Sequence, residues 1–268
     1  MSKILFSKRI TNLIFIICYS FFLSIICTSC SAQTTQQKAI EIDAQEVTYR
    51  NQKFDVVKID LRKTPVQFFW KNKNGELIRS LEKLKKEVES LDKELHFAMN
   101  AGMYQRDRNP QGLYIENGKT IKPLDTLQDG YGNFYLQPNG VFFIKNDFAG
   151  VLPSNLFSQK NITPTWATQS GPMLLINEKV HPIFKEGSTN LNIRNGVGAI
   201  SEHEIVFVIS HKEVNLFDFA MFFKEELNCK NALYLDGFVS RAYIPQLDRK
   251  DLDGNFGVMI GVLKSHQN

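Results

Sequence analysis

The sequence predicts an α+β domain: mixed, largely buried β-sheets with a few covering helices, in a single domain. Three observations carry the expectation. Short β-branched and aromatic runs outnumber helical patterns, Asn and Gly turns punctuate those runs, and only two segments hold a sustained 3.6-residue apolar period. The chain has 268 residues, of which 43% are hydrophobic. That is enough for one substantial core.

The first 29 residues have the three-part layout of an export signal. Lys3, Lys8 and Arg9 form a positive front, residues 10–27 carry no charge, and "CTSCSAQ" leads through small residues into Cys30. This resembles a bacterial lipoprotein signal with Cys30 as the lipidated residue. A retained transmembrane helix is the alternative, since 18 uncharged residues sit at the short end of a spanning segment. Both readings place the remainder outside the cytoplasm, and the first anchors it by lipid in the cell envelope, at the periplasm or outer membrane.

The formal net charge is +4, and the leader holds three Lys and Arg and no acid, so the remainder stands near +1. No basic stripe is left, which argues against nucleic acid as a partner and puts membrane attachment on the lipid. Cys18, Cys27 and Cys30 fall in or just after the leader, leaving Cys229 alone in the folded part. An internal disulfide and a cysteine-based metal site are thereby excluded. Cys229 ends an apolar helical pattern and reads as packing.

Residues 30–40 read as a polar tether and 41–268 as the domain. "FDVVKIDLRKTPVQFFW" at 54–70 predicts two strands joined around Lys63 to Pro65. In 76–95, Leu77, Leu81, Leu84, Val88, Leu91 and Leu95 lay one apolar stripe along a charged helix. "VNLFDFAMFFKEEL" predicts a second helix capped by Asn215, with Asp218 in its first turn and Leu216, Phe219, Phe223 and Leu227 inward. "GLYIENGK", "NGVFFIK", "GPMLLINEK" and "EIVFVIS" read as strands or hairpins with Asn and Gly turns.

Three apolar runs stop abruptly at small and polar residues: "MNAGMY" at 99–104, "ATQSGPMLL" at 167–175 and "ALYLDGFVSR" at 232–241. Each reads as a buried strand ending in a tight loop where backbone can approach a ligand, and three such ends point to one shared pocket.

In order and spacing these segments resemble the phosphodiester glycosidase family, to which the N-acetylglucosamine-1-phosphodiester α-N-acetylglucosaminidases belong. The resemblance runs from about Phe97 to Val262. The family's Asn-Gly-Gly-aromatic loop is matched by Asn100, Ala101, Gly102, Met103 and Tyr104, and its Ser-Gly segment by Ser170 and Gly171. Its Arg with Gly four residues on is matched by Arg194 and Gly198, and its Leu-Asp-Gly-Gly-Gly-Ser by Leu235, Asp236, Gly237, Phe238, Val239 and Ser240. Ala101, Phe238 and Val239 replace family glycines, which restricts the backbone and adds apolar bulk.

The resemblance implies a hydrolase that breaks the bond between a sugar's anomeric carbon and a phosphodiester. Such chemistry needs an anion holder and a group that steadies an oxocarbenium-like centre. Arg194 is the expected anion holder, by a bidentate grip on phosphate, and Asp236 the carboxylate, as base or electrostatic partner. Asn100 completes the catalytic set. Gly102, Gln169, Ser170, Gly171, Gly237, Ser240 and Arg241 are the expected substrate-binding residues. The rival for Asp236 is a plain turn former before Gly, and for Arg194 an ion pair or a helix cap.

"LDRKDLDGNFG" resembles a calcium loop, but Arg249 and Ile260 stand where the first and last ligands belong, so it reads as a polar turn. The five histidines show no metal-like spacing; His211 alone follows a strand near the pocket elements. No metal or cofactor is predicted, with a divalent cation left open. The expected partner is a carbohydrate phosphodiester. A non-catalytic glycan- or phosphoglycan-binding envelope lipoprotein on the same scaffold is the alternative function, motivated by the lost glycines.

Overall fold

In "IVFVIS" at 205–210 every side chain is apolar or small, so both faces of that strand must be covered. The computed structural model, which describes residues 40–236 and 239–265, shows how. Ile205, Phe207 and Ile209 face an inner core while Val206 and Val208 face a helix on the other side. The leader, Cys30 and Gly237 lie outside the described residues.

Among the described residues the strands form three sheets, and every strand pairing is antiparallel. The seven-stranded sheet runs in spatial order Asp43–Tyr49, Gln52–Asp60, Glu204–Ser210, Asn195–Ala199, Asn231–Tyr234, Met173–Ile176 and Lys179–Val180. A five-stranded sheet follows the order Arg249–Lys250, Ala242–Ile244, Lys93–Asn100, Met259–Ser265 and Gln67–Phe69. The other five-stranded sheet follows Lys119–Lys122, Tyr114–Glu116, Trp166–Ser170, Gly140–Lys145 and Phe148–Pro153. The predicted strands on either side of Lys63 to Pro65 are present, but they belong to different sheets.

All three sheets contribute to one core, in which Phe97, Phe142 and Phe207 meet at ring-centroid distances of 5.2 and 5.9 Å. A helix covers the outer face of each. Helix α1, Leu81–Glu89, packs Leu81, Leu84 and Val88 on Leu95, Ala98 and Met259. Helix α2, Ser154–Gln159, packs Phe157 beside Leu113, Ile115 and Val141. Helix α3, Leu216–Glu225, buries Phe219, Phe222 and Phe223 against the seven-stranded sheet. Each of those phenylalanines contributes about 1.5–3 kcal/mol of apolar burial, which fixes α3 against that sheet.

The Asn215 cap is present as predicted: its Oδ1 accepts from Asp218 N at 2.8 Å. The first helix is shorter than the leucine pattern implied. Ser80 caps it by accepting from Lys83 N at 3.2 Å, and it ends by Ser90, after which Asp92 takes a left-handed φ of 56°. Leu91 is left half exposed, and Leu95 belongs to the strand Lys93–Asn100. A register shift in that strand's pairing with Met259–Ser265 turns Leu95 outward onto α1, so one leucine repeat crosses two elements. Cys229 is buried, and burial pushes its thiol up to about 12, as befits a packing residue.

Candidate active site

The three strand ends singled out in the sequence converge, one from each sheet. Asn100 ends Lys93–Asn100, Ser170 ends Trp166–Ser170, and Asp236 follows Asn231–Tyr234 by two residues. Their side chains and backbone are tied together. Asn100 Nδ2 donates to Asp236 O at 3.3 Å, and Ser170 Oγ donates to Leu235 O. Ser240 Oγ stands 2.9 Å from Asp236 O, its second acceptor being Asn195 Oδ1 at 3.2 Å.

Asn195 is the hub of this group, and the sequence reading missed it. Its Nδ2 donates to Asn100 O at 2.7 Å and Asn100 Oδ1 at 3.2 Å, while its Oδ1 accepts from Asp236 N at 3.1 Å. It is completely buried, at 0% exposure. The signal for it was present: period-two alternation puts Asn195 on the same inner face as Val197, where an amide survives only with its hydrogen bonds made.

The network grips the main chain of Asp236 from both sides, at its N–H and at its carbonyl. Tyr104 feels the charge of Asp236. Its phenol is pushed up to about 12, first by burial and then by the negative charge of Asp236, with Arg108 opposing. Tyr104 thus remains a neutral hydrogen-bond donor close to Asp236. Its ring is seated against Gly257, where an added Cβ would come within 2.5 Å of the Tyr104 Cβ.

Arg194 precedes Asn195 and projects to the opposite face of the sheet, under α3. Its Nε donates to Val214 O at 2.6 Å, Nη1 to Tyr234 Oη at 2.8 Å, and Nη2 to Asn190 O and Oδ1 at 2.8 and 3.2 Å. Those acceptors are all neutral oxygens. Burial pulls the guanidinium below its ordinary pKa, Tyr234 opposes that pull, and an arginine stays protonated throughout. The expected free bidentate fork is therefore corrected: most of its N–H groups are committed to protein acceptors, at 1% exposure. What Arg194 offers is positive charge beneath a cleft of about 450 Å³, bordered also by Phe184, Asn190, Leu216 and Phe217.

The remaining expected residues fall into two groups. Gly102 and Gly171 sit where backbone passes close to backbone. An added Cβ would come within 2.7 Å of Gln169 O at Gly102 and within 2.9 Å of Phe134 O at Gly171, so only glycine fits. Gln169 and Arg241 are turned to structural tasks. Gln169 Oε1 accepts from Leu113 N and Asp125 N at 3.0 and 2.9 Å, and its Nε2 donates to Asp125 O at 2.8 Å. Arg241 gives its N–H to Asn100 Oδ1 at 2.8 Å but its guanidinium to Asp253, at 2.7 and 3.0 Å. Asp253 is taken by Arg241 at 2.7 Å and Asp251 by Arg249 at 2.8 Å, so these carboxylates of the calcium-like stretch are engaged in salt bridges. Val239 packs against the α1 cluster, and Ala101 is wholly buried in the central core.

The model of the phosphodiester glycosidase family matches residues 93–262. The chain belongs to that family. The span takes in all three strand ends, Arg194 and Asn195. The uncharacterized protein YigE from Escherichia coli strain K12 is 38% identical over 180 residues, 67% of this chain and 69% of that protein. Among solved structures, the catalytic domain of zebrafish N-acetylglucosamine-1-phosphodiester α-N-acetylglucosaminidase, auto-inhibited by its pro-peptide, superposes with a TM-score of 0.56 at 15% identity. That match covers 85% of this chain and 83% of the other. A hypothetical protein from Synechocystis gives 0.52 at 14% identity, over 83% and 62% of the two chains. The two structural likenesses establish the shared fold.

Proposed function

We propose that this chain is an exported, lipid-anchored hydrolase that cleaves the glycosidic bond of a sugar-1-phosphodiester in an envelope or scavenged glycan. Family membership supports the reaction class, and one observation carries the residue assignment: strand ends from all three sheets converge at Asp236, whose main chain is gripped by Asn100, Asn195 and Ser240. In the reaction the bond between the anomeric carbon and the phosphate oxygen breaks, the electron pair leaves with the phosphate, and water supplies the new anomeric oxygen.

The phosphate monoester is a good leaving group, so the demand falls on the cationic sugar and on the water. Asp236 serves as base toward that water or as counter-charge to the sugar. Tyr104, neutral and adjacent, donates a hydrogen bond to substrate or to Asp236. Arg194 lends positive charge to the cleft bordered by Phe184, Asn190, Leu216 and Phe217, whose lining does not include Asp236. Asn100, Asn195, Ser170 and Ser240 keep Asp236 in place. Lipidation at Cys30 would hold the enzyme at the envelope surface.

The test is to incubate the protein with N-acetylglucosamine-1-phosphodiester and related sugar phosphodiesters and follow free sugar, with Asp236→Asn as control. Release that disappears in Asp236→Asn is the expected result; release unchanged in that variant overturns the assignment. The substituted glycines favour one other reading, a phosphoglycan-binding protein without turnover. Calorimetric binding of the same compounds with no product formed would establish it.

A further inference from the structure

Glu46 and Asp55 stand directly opposite each other on neighbouring antiparallel strands, in a register that pairs their Cα atoms. Two carboxylates so placed share one face of the sheet and repel, a destabilising arrangement unless a cation lies between them. The His211 imidazole lies beside both. It follows the strand Glu204–Ser210, and its N–H is fixed to Lys53 O at 2.9 Å. Its Nε2 is 2.7 Å from Asp55 Oδ1 and 3.8 Å from Glu46 Oε2.

The other oxygen of each carboxylate points away and is held by a cation. Arg249 Nη1 lies 3.0 Å from Asp55 Oδ2, and Lys53 Nζ lies 2.6 Å from Glu46 Oε1. Arg249 is itself fixed by Asp251 at 2.8 Å. One inner atom from each of the three side chains therefore faces a common point, all within 4.8 Å of one another. The outer atoms are braced in the manner of groups that orient metal ligands. Asp55 is 4% exposed and rigid, whereas Glu46, at 41%, is free to turn inward.

We infer that Glu46, Asp55 and His211 form a binding site for a divalent transition metal, with zinc as the best match. One imidazole nitrogen and two carboxylate oxygens are zinc's ordinary hard-to-borderline donors, and they leave water in the fourth tetrahedral position. The ligand atoms need move only to reach about 2.0–2.2 Å from the ion. Glu46 and Asp55 lie on the strands Asp43–Tyr49 and Gln52–Asp60, the first of which is the edge of the seven-stranded sheet. A bound ion would pin that edge. The sequence offered no spacing to reveal it, since 156 residues separate Asp55 from His211.

The test uses the full chain without a histidine tag, stripped by chelator and titrated with zinc chloride by calorimetry, beside His211→Ala and Glu46→Gln. Both substitutions fall at partly exposed positions, and circular dichroism in chelator verifies their folding. The expected result is one zinc per chain, an affinity at least about tenfold weaker in each variant, and a melting midpoint that rises with zinc in the parent alone. Zinc bound equally by parent and variants, or no stoichiometric uptake, overturns the inference. Neither result depends on hydrolysis at Asp236.

Discussion

Asn195 and Asn100, 95 residues apart in sequence, are joined by a single amide that reaches both the main-chain and the side-chain oxygen of Asn100, at 2.7 and 3.2 Å. This joint links the seven-stranded sheet to the sheet containing Lys93–Asn100 at the point where Asp236 is held. Replacing Asn195 by Ala strands buried partners on Asn100, Asp236 and Ser240, each at about 1–3 kcal/mol when left unsatisfied. The expected loss is at least about 2 kcal/mol in urea unfolding, together with sugar release reduced as severely as in Asp236→Asn. A variant with wild-type midpoint would show that water replaces the amide.

The Tyr104 phenol gives a direct probe of Asp236. Its native pKa of about 12 lies above the ordinary 10.0, so the folded state holds its proton longer than the unfolded chain. Stability from this group is complete below pH 10 and declines as pH rises through about 12. Tyr49 titrates in the same window, raised to about 12 by burial and Glu225, so comparison with Tyr104→Phe isolates the Tyr104 share. Phenolate absorbance should also place Tyr104 lower in Asp236→Asn, because that substitution removes one of the charges raising it.

Gly198 and Cys229 meet beneath α3, where an added Cβ would stand 2.6 Å from the Cys229 sulfur and 3.0 Å from Phe223. Gly198→Ala should cost about 1–3 kcal/mol by overpacking. Adding Cys229→Ala removes the nearer obstacle, and a double-mutant cycle should show favourable coupling of at least about 0.5 kcal/mol. Strict additivity would mean that Phe223, rather than the sulfur, sets the limit.

Ser80 is a simpler case. Its hydroxyl is the cap of α1, and Ser80→Ala should lower stability by about 1 kcal/mol. Chemical denaturation checks this, and sugar release should be unchanged, since α1 covers the far side of its sheet.

Local signals explain what the sequence disclosed. The Asn215 cap, the Asn and Gly turns and the three abrupt strand ends are each encoded within a few residues, and each is present in the fold. The leucine repeat of 77–95 misled because Leu95 obeys the helical spacing while belonging to a strand, and only the pairing of that strand with Met259–Ser265 decides the matter. The site divides the same way. Asp236, Asn100, Ser170 and Ser240 sit at strand ends and were legible. Asn195 depends on which strands become neighbours, and the commitment of Arg194 to Val214, Tyr234 and Asn190 depends on α3 docking behind it. Gln169 and Arg241 carry the right chemistry, but Asp125 and Asp253 claim their side chains.

Arg194 and Asn195 are adjacent in the chain yet serve opposite sides of one sheet. A strand of this kind works as a ruler read on two scales at once. Deleting or inserting one residue just before it would exchange a cation for an amide in one compartment and an amide for a cation in the other, disabling both together. Change on this scaffold is therefore channelled into the loops that border the cleft, whose side chains can vary one at a time while the strand stays in register.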